Sequence, residues 1–273
     1  MSDILGYAGQ NVVITGAASG MGAAATELLL EAGATVFALD IGEIKAPVAE
    51  ALRVNIMEKA SIDAALAELP DEIFGLFNCA GVPHPPTPVY QTIMINFVGL
   101  RYLTESLLPR IKPGGGVISI ASTAGMAWKS NLEVVQSFLE LEDFDAAAEW
   151  LKAENSLGKA DAYGFSKQCL IVYTLQRAGE LAKQHKRINC ISPSPTQSAF
   201  MDNLESAGIG RDVSGLFCPS NGEFASGADM GRALVAINSK LGGFISGCNI
   251  PVDYGYCAEV VLGQRDDLLG IAG

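Results

Sequence analysis

The chain has 273 residues, 49% of them hydrophobic and 18% charged, a balance that supports a sizeable buried core and excludes a disordered, collagen-like or coiled-coil protein. Eighteen basic against thirty acidic side chains leave a net charge of −12, which repels polyanions and argues against nucleic acid or an anionic membrane surface as a partner. No Lys or Arg precedes Lys45 and no apolar stretch reaches the roughly 18 residues of a membrane span, so a cytoplasmic location without signal or transit peptide is expected.

Strand-like and helix-like segments alternate from the first residues onward. Residues 11–15 read as a β-branched strand, 23–32 as a helix closed by Gly33, and 35–39 as a second strand stopping at Asp40. A third strand is expected at 53–56, and the short stretch 41–52 before it leaves little room for a connecting helix. Then come a helix at 60–69, a strand at 73–78, a helix at 90–108 and a strand at 116–121. A long helix at 160–184, a strand at 187–191, a helix at 228–239 and a last strand within 243–252 complete the series. Such alternation predicts one α/β unit: a doubly wound, Rossmann-type parallel sheet of about seven strands with helices on both faces, since each parallel crossover needs a dozen or more residues.

Two stretches interrupt the pattern. Residues 127–161 look like a helical insertion, with one apolar face at Leu132, Val135, Phe138 and Leu139 and another at Phe144, Ala147, Trp150 and Leu151. Residues 195–227 are punctuated by Gly and Pro yet carry Phe200, Met201, Leu204, Leu216 and Phe217, which suits either a lid over an apolar ligand or core beneath a long loop. The whole chain, 1–273, is expected to be a single catalytic domain carrying both.

The segment Thr15-Gly16-Ala17-Ala18-Ser19-Gly20-Met21-Gly22 lies between the first strand and the first helix. Glycines there let backbone approach a pyrophosphate, and the helix start offers free N–H groups. Asp40, about twenty residues on, can accept hydrogen bonds from ribose hydroxyls and repel a 2′-phosphate. Its neighbours Ala17, Ala18, Ile41 and Gly42 are uncharged, so NAD rather than NADP is expected. Tyr163 and Lys167 are spaced i, i+4 on the long helix and can share one face, where a cation lowers a phenol's pKa. Ser122 follows a strand's carboxyl end, where an open sheet binds ligands, and Asn78-Cys79-Ala80-Gly81 ends another. Asn96 sits within a helical pattern as either a solvated residue or the holder of a water. Six scattered Cys without a CxxC pair and only two His make a thiolate or imidazole metal site improbable.

Taken together, Thr15-Gly16, Gly20 and Gly22, Asn78-x-Ala80-Gly81, Asn96, Ser122, Tyr163-x3-Lys167 and Pro193 resemble the short-chain dehydrogenase/reductase family over nearly the whole chain. Departures are Cys79 for a common Asn, Asn55 for an adenine-contacting Asp, Ser194 for Gly, and Asp253-Tyr254-Gly255 for Asp-Gly-Gly. The 41-residue separation of Ser122 and Tyr163 resembles the branch containing bacterial 3α-hydroxysteroid dehydrogenase/carbonyl reductase and coniferyl-alcohol dehydrogenases.

This resemblance implies an NAD-dependent alcohol dehydrogenase or carbonyl reductase acting on a small apolar steroid, terpenoid or aromatic alcohol or its carbonyl. Tyr163 would be its general acid/base, with Ser122, Lys167 and Asn96 completing the catalytic set. Gly16, Ser19, Gly20, Met21 and Gly22 would line the pyrophosphate and Asp40 the ribose. The remaining cofactor contacts would come from Asn55, Ile56, Asn78, Ala80, Gly81, Tyr163, Lys167, Pro193, Thr196 and Ser198, with Ile191 near the nicotinamide end. A homo-oligomer, dimer or tetramer, is implied. A catalytically silent NAD(H)-binding regulator and an epimerase working through a transient ketone are the competing expectations.

Overall fold

The computed structural model describes residues 3–153 and 161–272. Its centre is one seven-stranded, all-parallel sheet, with strand order β3-β2-β1-β4-β5-β6-β7. The strands are β1 (Asn11–Thr15), β2 (Thr35–Asp40), β3 (Glu50–Arg53), β4 (Ile73–Asn78), β5 (Ile111–Ile120), β6 (Arg187–Pro193) and β7 (Cys248–Val252). The order reverses between β1 and β4, which opens a crevice at their carboxyl ends.

Alternation along each strand feeds two cores. Val12 and Ile14 of β1 face one side, where α1 (Gly20–Glu31) packs beside α10 (Gly227–Asn238); Val13 faces the other. That opposite side carries α2 (Lys59–Glu68), α4 (Gly99–Leu107) and the long α7 (Ala162–Ala182). Both helices of the first pair have defined ends. Gly33, at φ +80°, closes α1 as its N–H and that of Ala34 return to Leu30 and Leu29. Ser226 and Asp229 form a reciprocal capping box at the start of α10.

The third strand lies at Glu50–Arg53, three residues before its expected place, and its burial pattern explains the slip. As a largely exposed edge strand it carries no apolar alternation for a reader to follow. The expected helix at 90–108 is three pieces: α3 (Val89–Ile93), a π-turn (Met94–Val98) and α4. Residues 127–161 do hold two helices, α5 (Leu132–Leu139) and α6 (Phe144–Ala153), while positions 154–160 lie outside the described residues. The insertion docks through Phe138, whose ring meets those of Phe97, Trp150 and Phe165 at centroid distances of 6.0, 5.0 and 5.5 Å. The buried Arg101 completes that junction by donating to the carbonyls of Leu139 and Leu141 at the end of α5. Within 195–227 the chain forms α8 (Ala199–Ser206) and the short α9 (Arg211–Gly215), and α11 (Tyr256–Val261) follows β7 unannounced by any sequence pattern. No helix among the described residues is long and apolar enough to cross a membrane.

Candidate active site

A cleft of about 290 Å³ runs along the crevice above β1 and β4. Gly16, at φ +68°, begins its floor, and a Cβ there would lie 2.6 Å from the Ala80 nitrogen. A Cβ on Gly22 would lie 2.0 Å from the Gly16 carbonyl oxygen, so this loop closes only with glycine at both places. Ser19, Gly20 and Met21 continue the wall. The first turn of α1 carries no acidic side chain and Ser19 makes no side-chain cap, leaving the helix start free to meet an anion. Thr15, whose role sequence alone does not single out, locks the two strand ends together. Its hydroxyl oxygen accepts from the N–H groups of Cys79 and Ala80, each at 3.1 Å.

Asp40 stands at one end of the cleft, its carboxylate accepting from the Ala18 N–H at 2.9 Å and the Gly42 N–H at 2.8 Å. The sheet register also sets Arg53 beside Asp40, a basic neighbour that the residues flanking Asp40 in sequence do not reveal. Asn55 and Ile56 line the same end, with the Asn55 amide committed to Glu58 at 2.7 Å. Ala80 and Gly81 line the middle, and Tyr163, Lys167 and Ser198 the far end.

Asp161 starts α7 by accepting from the Gly164 N–H at 2.9 Å, and this sets Tyr163 on the first turn. Burial pushes the Tyr163 phenol up to about 12, the hydrogen bond with Ser122 offsets part of that rise, and the Asp161 carboxylate adds to it. Lys167 is buried, donates to the Ile120 carbonyl at 2.7 Å, and is pulled down to about 8 by desolvation. Burial thus acts on both groups and favours the neutral form of each.

Several expected residues lie elsewhere. The Asn78 amide turns into the sheet and donates to the Thr104 and Ser119 hydroxyls at 2.8 and 3.3 Å, away from the cleft lining. Asn96, on the π-turn, is fully buried. Its Oδ1 accepts from the Val82 N–H at 2.8 Å, and its Nδ2 donates to the Val82 carbonyl at 3.0 Å and the Ser166 hydroxyl at 3.2 Å. That clamp ties Val82 to Ser166 through the one amide. Ile191 belongs to the core beneath α1 and α10.

A second cavity of about 280 Å³ adjoins the cleft. Ser122, Pro193 and Thr196 line this one and not the first, whereas Tyr163, Met21, Ser198 and Phe200 line both. The Phe200 ring lies 5.4 Å from that of Tyr163, and Met201, Leu204, Ile209, Val213 and Phe217 supply an apolar wall. Residues of the 195–227 segment thus supply much of the apolar lining of this cavity.

Residues 10–133 match the family model described as short chain dehydrogenase, and residues 148–257 match that described as enoyl-(acyl carrier protein) reductase. The chain belongs to the short-chain dehydrogenase/reductase family and is an alcohol-dehydrogenase-type oxidoreductase. It is 29% identical over 253 residues to coniferyl-alcohol dehydrogenase of a Pseudomonas species, covering 92% of this chain and 98% of that one. It is 27% identical over 249 residues to 3-alpha-hydroxysteroid dehydrogenase/carbonyl reductase of Comamonas testosteroni, covering 89% and 95%. The 3-alpha-hydroxysteroid dehydrogenase of Pseudomonas sp. B-0831, solved with NADH, has the same fold, with a TM-score of 0.79, 22% identity, and coverage of 94% of this chain and 100% of that one.

Proposed function

We propose that this enzyme interconverts an apolar steroid, terpenoid or aromatic alcohol and its ketone or aldehyde with NAD(H), using Tyr163 as general acid/base. The observation that carries this reading is the position of Tyr163, on the wall common to the cleft lined by the glycine loop and Asp40 and an apolar cavity. The glycine cradle supports a pyrophosphate at the start of α1, and Asp40 supports the ribose end. A nicotinamide dinucleotide bound there supplies the hydride acceptor or donor and, when oxidised, a positive ring.

The chain's own groups handle the proton. With its phenol raised to about 12, Tyr163 is protonated near neutrality and suited to give a proton to a developing alkoxide during reduction. In oxidation the same oxygen takes the hydroxyl proton, which requires added positive charge nearby to bring the phenolate within reach. Ser122, which lines the same cavity as Tyr163, orients the substrate oxygen and donates to its growing charge. Lys167 contributes an adjustable charge, since its proton is lost near pH 8. Asn96 is a positioning residue: it fixes Val82, beside the cleft, to Ser166 on the catalytic helix. Asp40 favours NAD over NADP by charge, with Arg53 its opposing neighbour.

The paired hydroxyls of Ser122 and Tyr163 favour an enzyme over a silent nucleotide-binding regulator, which needs only the cleft. NADH absorbance followed with NAD and a panel of steroid, terpene and benzylic alcohols tests the proposal. Formation of NADH with at least one of them is expected. Tight NAD binding without any absorbance change would contradict it, and inversion at the carbinol carbon without net NADH would indicate epimerisation.

A further inference from the structure

The outer wall of the second cavity belongs to neither of the cores that flank the sheet. Tyr256 and Val260 of α11 join Ile271 in a small third core, and Met126, Phe217 and Leu269 pack against it. Two of these, Phe217 from the 195–227 segment and Leu269 from the tail after α11, also line the cavity. The Phe217 and Tyr256 rings meet edge-on with centroids 6.5 Å apart.

The tail is held in place by its own polar contacts. Arg265 pairs with Glu259 at 3.2 Å, lies 5.0 Å from the Tyr256 ring centre, and donates to the Cys218 carbonyl in the 195–227 segment. Asp267 then accepts from the N–H groups of Ile271 and Ala272 at 2.8 and 2.9 Å, folding the chain back so that Ile271 is buried and Leu269 reaches the cavity. The 195–227 segment and the tail thus form one clasped wall.

We propose that residues 263–272 are a substrate-specificity element and that Leu269 sets the bulk of the apolar group accepted beyond the carbinol carbon. This rests on the alcohol-dehydrogenase reading of the cavity given above. The half-buried Leu269 stands between the third core and the cavity, so its size changes the space available to a ligand. The two main cores do not include it, so the sheet and the dinucleotide cleft are left intact. A hydrophobic pocket discriminates by about 10–200-fold for one methylene-sized difference.

The test compares Leu269→Ala and Leu269→Trp, using cyclohexanol as a small substrate and a 3-hydroxysteroid as a bulky one. The steroid-to-cyclohexanol ratio of kcat/KM is expected to fall at least about tenfold in Leu269→Trp and to rise or hold in Leu269→Ala, with NADH affinity unchanged. A purely structural role would lower both substrates together. An unchanged ratio in both variants, or a parallel loss, overturns the proposal. Phe217→Leu, on the opposite side of the same wall, provides a third variant should the tryptophan disturb folding. Equilibrium binding of the steroid separates this inference from the reading it rests on. Binding that weakens in Leu269→Trp without turnover by any variant supports the wall and contradicts the dehydrogenase reading; equal binding by all variants overturns the wall.

Discussion

The Lys167 ammonium lies 5.5 Å from the centre of the Tyr163 ring, yet its hydrogen bond goes to the Ile120 carbonyl at the end of β5. The cation is thus fixed by the sheet, and its helix neighbour Tyr163 is free to face both cavities. Such an arrangement buries a charge with no anionic partner among the described residues, which is costly for folding and useful for chemistry.

That cost has a pH signature. Lys167 titrates near 8 in the fold against an ordinary value of 10.5, so between those values the unfolded chain binds a proton that the native one lacks. Stability contributed at this site therefore rises with pH across the window, by about 3 kcal/mol in all. Urea unfolding of the unmutated protein and Lys167→Met should show the variant's relative advantage shrinking by about that amount from pH 8 to pH 10.5. Parallel curves would refute the assignment.

Asp40 sets cofactor choice by charge. Replacing it together with Ile41, as Asp40→Ala and Ile41→Arg, is expected to shift the NADP-to-NAD ratio of kcat/KM on the order of 100-fold toward NADP, the scale of one or two charge-assisted hydrogen bonds. Steady-state kinetics with both cofactors measures this. A preference for NADP in the unmutated enzyme would instead assign the ribose end to Arg53, the in-register neighbour on β3.

Gly22→Ala tests the cradle. Its Cβ would lie 2.0 Å from the Gly16 carbonyl oxygen, so the loop must shift. We expect a loss of roughly 1–3 kcal/mol in thermal or denaturant unfolding, from overpacking against backbone. NADH binding, followed by fluorescence, should weaken at least about tenfold. Unchanged NADH affinity would remove the loop from the cofactor site.

Much of this was legible in the sequence where burial and turn chemistry agree. β1 and β4 fall at 11–15 and 73–78 because β-branched and aromatic runs end there at Gly16 and at the Asn78–Gly81 turn. Asn78 and Asn96 show the limit: an asparagine at a strand end or in a helix reads as a ligand-binding amide, and only the fold reveals that Thr104, Ser119, Val82 and Ser166 already engage those amides. The bounds of β3 and the pairing of Arg53 with Asp40 escaped because an exposed edge strand has no buried face, and register is a long-range property. The cavity wall at Leu269 escaped for a related reason. It is built from segments far apart in sequence and has no periodicity of its own.

The most direct measurement is turnover of Tyr163→Phe with an alcohol that the unmutated enzyme oxidises, alongside NADH affinity. Removing the phenol oxygen while keeping the ring beside Phe200 should lower kcat about 10²–10⁴-fold and leave NADH binding unchanged. Turnover close to that of the unmutated enzyme would contradict proton transfer at Tyr163.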